Sequence, residues 1–239
     1  MEIKVLASGS SGNCYRIGDG KTDILLDAGI PIQKIRIGCE FRLSAVAGAF
    51  ITHRHNDHSK AVCDLLKADI SVYAPEDVFT AKGATGHRCK PIESGIVDNH
   101  AEKWITVGSF RVLPFECHHD VPNLGFYIHS IITGENLLYF TDTYYIDPVF
   151  PNLHYIMAEA NYSSEAVDKS IANGRIPIEL KKRLVQSHMS IDNLLTMLKQ
   201  NDLSQLKRIY LLHLSDNNSR EDEFKQRVQE ATGCEVYVC

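Results

Sequence analysis

The chain lacks any hydrophobic run approaching the roughly 18 residues that a membrane helix requires. It also lacks a CxxC pair: its seven cysteines (Cys14, Cys39, Cys63, Cys89, Cys117, Cys234, Cys239) are scattered and odd in number. That pattern fits free thiols rather than a disulfide framework. Met1-Glu2-Ile3-Lys4-Val5-Leu6 runs straight into a strand-like stretch, with no signal-peptide pattern. A soluble, cytoplasmic protein is expected. Excess positive charge is missing too. With a net charge of −5 the chain has no global basic signature, which argues against a non-enzymatic nucleic-acid binder. An enzyme acting on phosphodiesters stays open, because bound divalent cations supply local positive charge themselves. The basic clusters Lys181-Lys182-Arg183 and Lys207-Arg208 read as solvated helix and strand ends at least as well as a phosphate track. There is no GxSxG nucleophile element, repeat, low-complexity segment or linker.

What is present suits one sizeable domain over residues 1–239, with 44% hydrophobic and 23% charged residues. Strand-like runs fill the first half at Ile3–Ala7, Ile24–Asp27, Ala47–Thr52, Ser71–Ala74, Ile105–Val107, Phe110–Pro114, Gly125–Ser130 and Asn136–Thr141. Helical patterns fall at Ile30–Cys39, Ser59–Lys67, Pro75–Thr80, Ser190–Asn201 and Arg220–Ala231, before a last strand at Cys234–Val238. Two successive halves, each ending in helix–strand units, are compatible with an α+β fold of two packed sheets flanked by helices.

The densest chemistry is Thr52-His53-Arg54-His55-Asn56-Asp57-His58, which holds four metal-ligand side chains between His53 and His58. Packing does not call for so many imidazoles and a carboxylate at a strand end. A transition-metal site does, since neutral imidazole nitrogen and carboxylate oxygen bind Zn²⁺, Mn²⁺ and Fe²⁺. His53 and His55 are two apart and project to one side of extended backbone. The plainer reading is a solvated histidine-rich turn. Three further strand ends weigh against it: His118-His119 after Phe110–Pro114, Asp142 after Tyr139-Phe140-Thr141, and His213 after Tyr210-Leu211-Leu212. Any one alone would be a turn cap or a satisfied core group.

The combination resembles the metallo-β-lactamase superfamily of hydrolases, and within it the YycJ-like group related to ribonuclease Z. Leu6-Ala7-Ser8-Gly9-Ser10-Ser11-Gly12-Asn13-Cys14 resembles the opening turn of that group, and His213-Leu214-Ser215-Asp216-Asn217-Asn218-Ser219 its HLSxxNN element. The resemblance implies the four-layer αβ/βα sandwich. It assigns His53, His55 and His119 to one divalent cation and Asp57, His58 and His213 to a second, with Asp142 bridging. His119 is preferred over His118 because His119-Asp120-Val121-Pro122-Asn123-Leu124-Gly125 matches the HxVPxxGY-like register, with Phe126 in place of Tyr. Met157-Ala158-Glu159-Ala160-Asn161 and Ser187-His188-Met189-Ser190 resemble two more elements of the relatives. In these, the glutamate orients a histidine toward the leaving group. The plainer reading is a serine cap at Ser187 or Ser190, with His188 in a loop.

The implied activity is two-metal phosphodiester hydrolysis, most simply a nuclease resembling a DNA exonuclease, with RNA as the variant substrate. Paired cations lower the pKa of water toward neutrality. Asp57 would bind metal and take the attacking proton, while His188, held by Glu159, would protonate the departing oxygen. The metals expected are Zn²⁺ or Mn²⁺, with Fe²⁺ also accepted by this donor set. A small-substrate or cyclic-nucleotide phosphodiesterase is the alternative, ahead of a lactone or thioester hydrolase and a di-iron redox protein. About 70 residues separate Asp142 from His213, too few for the inserted domain of the β-CASP nucleases. The exosite arm of ribonuclease Z has no counterpart, so precursor-tRNA processing is not implied. The expected partner is a phosphodiester in nucleic acid or a nucleotide; no membrane is expected, and a homodimer is compatible.

Overall fold

The computed structural model describes residues 1–97, 100–174, 177–214 and 220–239. Ser215 to Ser219 of the carboxyl-terminal element and the side chain of Arg183 therefore lie outside the described set. The chain divides into two compact units: Met1–Glu116 with Val121–Glu135, and Cys117–Asp120 with Asn136–Cys239.

The first unit opens with β1 (Glu2–Ala7), β2 (Cys14–Gly18) and β3 (Asp23–Leu26), joined antiparallel in that order. The β2–β3 turn is built by Asp19, whose carboxylate accepts the amides of Lys21 and Thr22 at 3.0 and 2.9 Å, while Gly20 takes φ 87°. From β3 the sheet turns parallel through β4 (Val46–Phe50), β5 (Val72–Ala74) and β6 (Cys89–Pro91). Parallel neighbours need crossovers. These are α1 (Ile32–Gly38) with a 3₁₀ turn at Leu43–Ala45, then α2 (Asn56–Ser59) with α3 (Val62–Lys67), then α4 (Glu76–Lys82). The expected helix Ser59–Lys67 forms as α3 from Val62, and Ser59 instead closes the short α2 that precedes it. Ile32 and Ile35 of α1, Val62 and Leu65 of α3, and Val78 and Phe79 of α4 bury against Leu25, Ala49, Ile51 and Val72. Each buried aliphatic side chain contributes roughly 1.5–3 kcal/mol, so this layer fixes which way the strands point. A small hairpin, β7 (Ile96–Val97) with β8 (His100–Ala101), precedes β9 (Ile105–Val107), β10 (Phe110–Cys117) and β11 (Asn123–Ser130), with β9 and β10 antiparallel.

The second unit holds four parallel strands in the order β12 (Asn136–Phe140), β13 (Tyr155–Glu159), β14 (Arg208–Leu212) and β15 (Glu235–Val238). β12 and β13 are buried along their whole length, as strands covered on both faces must be. α5 (Ser164–Ala172), α6 (Ile178–Ser187) and α7 (Ile191–Gln200) connect β13 to β14, and α8 (Glu221–Thr232) connects β14 to β15. The oxygen of Ser163 caps α5 and that of Ser190 caps α7, by accepting the amides of Ala166 and Asn193. α8 ends on Gly233 at φ 69°, the left-handed stop that glycine permits. No described helix is long and apolar enough to cross a membrane.

Candidate active site

In the first unit the site grows from the carboxyl ends of two adjacent parallel strands. Leu26 of β3 sits beside Phe50 of β4, so Asp27 and the Thr52-His53 pair emerge at the same edge. The amide of Asp27 donates to Phe50 O at 2.8 Å, and its own backbone turns left-handed at φ 56°. The amides of Asn13 and Ala28 donate to Asp57 O and His58 O, both at 2.7 Å. That stitching brings backbone against backbone at Gly29, where a Cβ would stand 1.6 Å from Asp57 O. Only glycine fits there.

The imidazoles are then set by one buried carboxylate. Oδ2 of Asp27 lies 2.7 Å from Nδ1 of His58. Thr52 donates its amide and its hydroxyl to Oδ1, at 2.8 and 3.0 Å. With its proton committed to Asp27, the Thr52 oxygen is left to accept from Nδ1 of His53, 3.0 Å away. Both histidines therefore carry their proton on Nδ1 and present the lone pair of Nε2. That tautomer is what a metal-ligating histidine needs. The ring of His53 packs 4.2 Å from that of His58 and 4.7 Å from that of His55, centroid to centroid. Asp57 Oδ2 stands 3.5 Å from His58 Nε2. Neutral nitrogens and a carboxylate crowded so closely form a donor set that fits a divalent cation.

The second unit repeats the device at the ends of β12, β13 and β14. Register pairs Phe140 with Ala158 and Glu159 with Leu212, so Asp142, Glu159 and His213 follow one another along one edge. Ligands of parallel sheets gather at this edge. Asp142 and His213 adopt left-handed backbone, at φ 51° and 53°. Such conformations cost about 1–3 kcal/mol each and persist where the surroundings over-determine them. Here they do. Oε2 of the fully buried Glu159 accepts the amides of Thr143 and Met189 at 3.2 Å each. Its Oε1 lies 2.6 Å from Nδ1 of His188 and 3.0 Å from Nδ1 of His213. Asn161 donates to His213 O at 2.8 Å, and Thr141 donates its hydroxyl to Asp142 Oδ1 at 2.8 Å. One donor atom from each of Asp142, Glu159, His188 and His213 lies within 4.8 Å of the others.

Charge in this half is tightly matched. Burial alone would lower the pKa of His188, but the Glu159 carboxylate outweighs it and raises the value above that of free imidazole. Burial likewise acts downward on His213, yet Asp142 and Glu159 push it up to about 10. Burial would raise Glu159, and the charge of His188 holds it down instead. A cation would compete with the proton for the same imidazole nitrogens, so any metal binding here would be coupled to pH.

His119 and His118 are separated by their surroundings. The side chain of His119 is 4% exposed, with its ring 6.2 Å from that of His188. His118 instead reaches Asp147, Nε2 to Oδ2 2.6 Å, and stacks on Tyr144. Residues that the sequence does not single out also carry weight. Asp27 closes an unremarkable apolar strand, and Thr143 lies next to Asp142. Of the basic groups, Lys181 is paired with Asp168, and Lys207 precedes β14, at the opposite end of that strand from His213. A cavity of about 970 Å³ in the first unit is lined by Glu76, Asp77, Glu93 and Glu116 against Lys103, a net negative charge that suits no polyanion.

The match to the β-lactamase superfamily domain covers residues 22–214, and the chain belongs to that superfamily. It is 30% identical over 233 residues to the exodeoxyribonuclease YycJ of Bacillus anthracis, an alignment covering 92% of this chain and 85% of that protein. The metallo-β-lactamase fold protein YhfI of Bacillus subtilis superposes with a TM-score of 0.74 at 14% identity, covering 99% and 95% of the two chains. The short form of human tRNase Z superposes with a TM-score of 0.62 at 17% identity, covering 100% and 96%. The fold is therefore the metallo-β-lactamase one, two mixed sheets flanked by helices.

Proposed function

We propose that residues 1–239 form one catalytic domain that hydrolyses phosphodiester bonds with two divalent cations, and that its substrate is DNA shortened from an end. His53, His55 and His119 would hold one cation, Asp57, His58 and His213 the other, and Asp142 would bridge them. Zn²⁺ and Mn²⁺ suit this donor set, with Fe²⁺ a third fit. When bound, the cations would supply water activation and neutralise charge on the phosphoryl oxygens.

The observation that carries the reading is Glu159 Oε1 at 2.6 Å from His188 Nδ1. A buried carboxylate favours the protonated form of that imidazole, the form that a hydrolase needs when an alkoxide departs. General acids of this kind contribute about 10²–10⁴-fold. Asp57 would accept the proton of the attacking water, and Asp27 would hold His58 and, through Thr52, His53. The kinship with an exodeoxyribonuclease supports the choice of DNA. A cyclic-nucleotide pocket would call for aromatic walls. Yet Tyr144 is 37% exposed, and the Tyr145 hydroxyl is taken up by Gln200 at 2.9 Å. The setting is the cytoplasm, where scattered thiols stay reduced.

The test is incubation of purified, Mn²⁺-loaded protein with end-labelled single- and double-stranded DNA, RNA and cyclic nucleotides, beside an Asp57→Ala control. Stepwise shortening of DNA that chelator abolishes and Mn²⁺ restores is the expected result. Hydrolysis of cyclic nucleotides alone would overturn the assignment.

A further inference from the structure

The loop after Asp142 carries an aromatic pair that the hydrolytic chemistry leaves unused. Tyr144 and His118 stack with ring centroids 5.1 Å apart and planes inclined by 22°. Tyr144 nevertheless keeps 37% of its surface open to solvent. Hydrogen bonds hold the backbone on both sides of the pair and the edge of the His118 ring. Asn193 Nδ2 donates to Tyr144 O at 2.9 Å, and the His118 amide donates to Thr143 Oγ1 at 2.9 Å. That hydroxyl donates onward to Tyr145 O at 2.6 Å, while Asp147 holds the His118 ring by its edge. The pair is a flat, pre-ordered surface, and binding to such a surface loses little side-chain entropy.

We propose that Tyr144, backed by His118, is the platform on which a nucleobase beside the scissile phosphodiester stacks; the inference rests on the nuclease reading above. Tyr144 lies two residues past Asp142, and two residues of chain span at most about 7 Å. That places Tyr144 on the loop that carries the proposed bridging carboxylate, with its Cα no more than about 7 Å from that of Asp142, and His118 adjoins His119 in the chain. A phosphate has no reason to choose this surface, whose charged member is Asp147. A base does. Stacking is tolerant of sequence because each base offers a π-face, and an enzyme advancing along a strand requires that tolerance.

The test uses the Mn²⁺-loaded full chain and two substrates: a single-stranded DNA oligonucleotide and the same strand with abasic residues at the cleaved end. Tyr144→Ala should raise KM on normal DNA roughly five- to hundred-fold, with kcat within about twofold. Tyr144→Phe should restore the wild-type value. The wild-type enzyme should show the same raised KM on abasic strand, where Tyr144→Ala adds nothing further. Equal wild-type KM on normal and abasic strands overturns the platform, even where the alanine variant folds poorly. An alanine penalty of the same size on both strands overturns it as well. Wild-type protein that cleaves no nucleic acid overturns the nuclease reading itself, and the platform with it.

Discussion

The Nδ1 of His188 lies 2.6 Å from the Oε1 of Glu159, and the same oxygen lies 3.0 Å from the Nδ1 of His213. One buried carboxylate atom thus orients both the proposed proton donor and a proposed ligand. Glu159→Gln keeps the shape and removes the charge. We expect kcat to fall by about 10²-fold or more, since the imidazole loses the carboxylate that favours its protonated form. Metal affinity should fall by a smaller factor through His213, within about 10–100-fold. Saturating Mn²⁺ separates the two, because added metal should recover the second loss and not the first. Full recovery at high metal would show that Glu159 serves the ligand alone.

Asp27 has the matching role in the first unit. It fixes His58 directly at 2.7 Å and His53 through the Thr52 hydroxyl. Asp27→Asn should leave the fold standing and weaken metal binding about 10–100-fold, because both imidazoles lose the carboxylate that sets their tautomer. Equilibrium competition against a calibrated chelator reads this without recourse to activity. An unchanged metal affinity would mean that the tautomers are set in another way.

Gly29 tests how tightly the histidine loop is stitched to the end of β3. A Cβ at this position would overlap Asp57 O at 1.6 Å, and the facing atom is backbone, which cannot swing aside. Gly29→Ala should therefore cost about 3 kcal/mol or more, the upper end for overpacking. Urea unfolding of the metal-free protein measures it. A loss below about 1 kcal/mol would show that the loop can shift as a body.

The histidine cluster was legible in the sequence because six consecutive residues concentrate more donor chemistry than any packed turn requires. Asp142 and His213 were legible as polar residues closing apolar runs. Asp27 was not, for a lone aspartate after a strand reads as a turn cap. Its role depends on β3 and β4 lying parallel with Leu26 beside Phe50, a long-range fact that no local pattern carries. The eight expected strands of the first half all form, and β6, β7 and β8, of two or three residues each, are too short for a pattern to show; β2 is hidden for another reason. Its Arg16 breaks the apolar pattern while being buried among Glu2, Asp23 and Glu40. α5 and α6 were missed because they bury little: in α5 Val167, and in the described part of α6 Leu184. β13 is five apolar-rich residues, too short a run for periodicity to tell strand from helix.

Asp19 offers a prediction in pH. Its carboxylate accepts two turn amides and the hydroxyls of Ser109 and Ser130, at 2.6 and 2.8 Å, clamping the β2–β3 turn to β10 and β11. Burial alone would raise its pKa, but these hydrogen bonds outweigh it and hold the carboxyl below its ordinary 3.8. A carboxyl depressed in the folded state contributes stability at pH values above its unfolded pKa, and that contribution fades as pH falls through the folded value. At pH 7, Asp19→Asn should lose about 1–3 kcal/mol, because the amide turns a donor toward hydroxyls that need an acceptor. Between pH 7 and pH 5 the gap to wild type should stay constant. Below about pH 4 it should narrow, because the wild-type carboxyl then begins to protonate while asparagine does not titrate. Urea unfolding at pH 7, 5 and 3 reads the gap directly. A gap that is unchanged at pH 3 would show that the carboxylate's charge contributes nothing to the clamp.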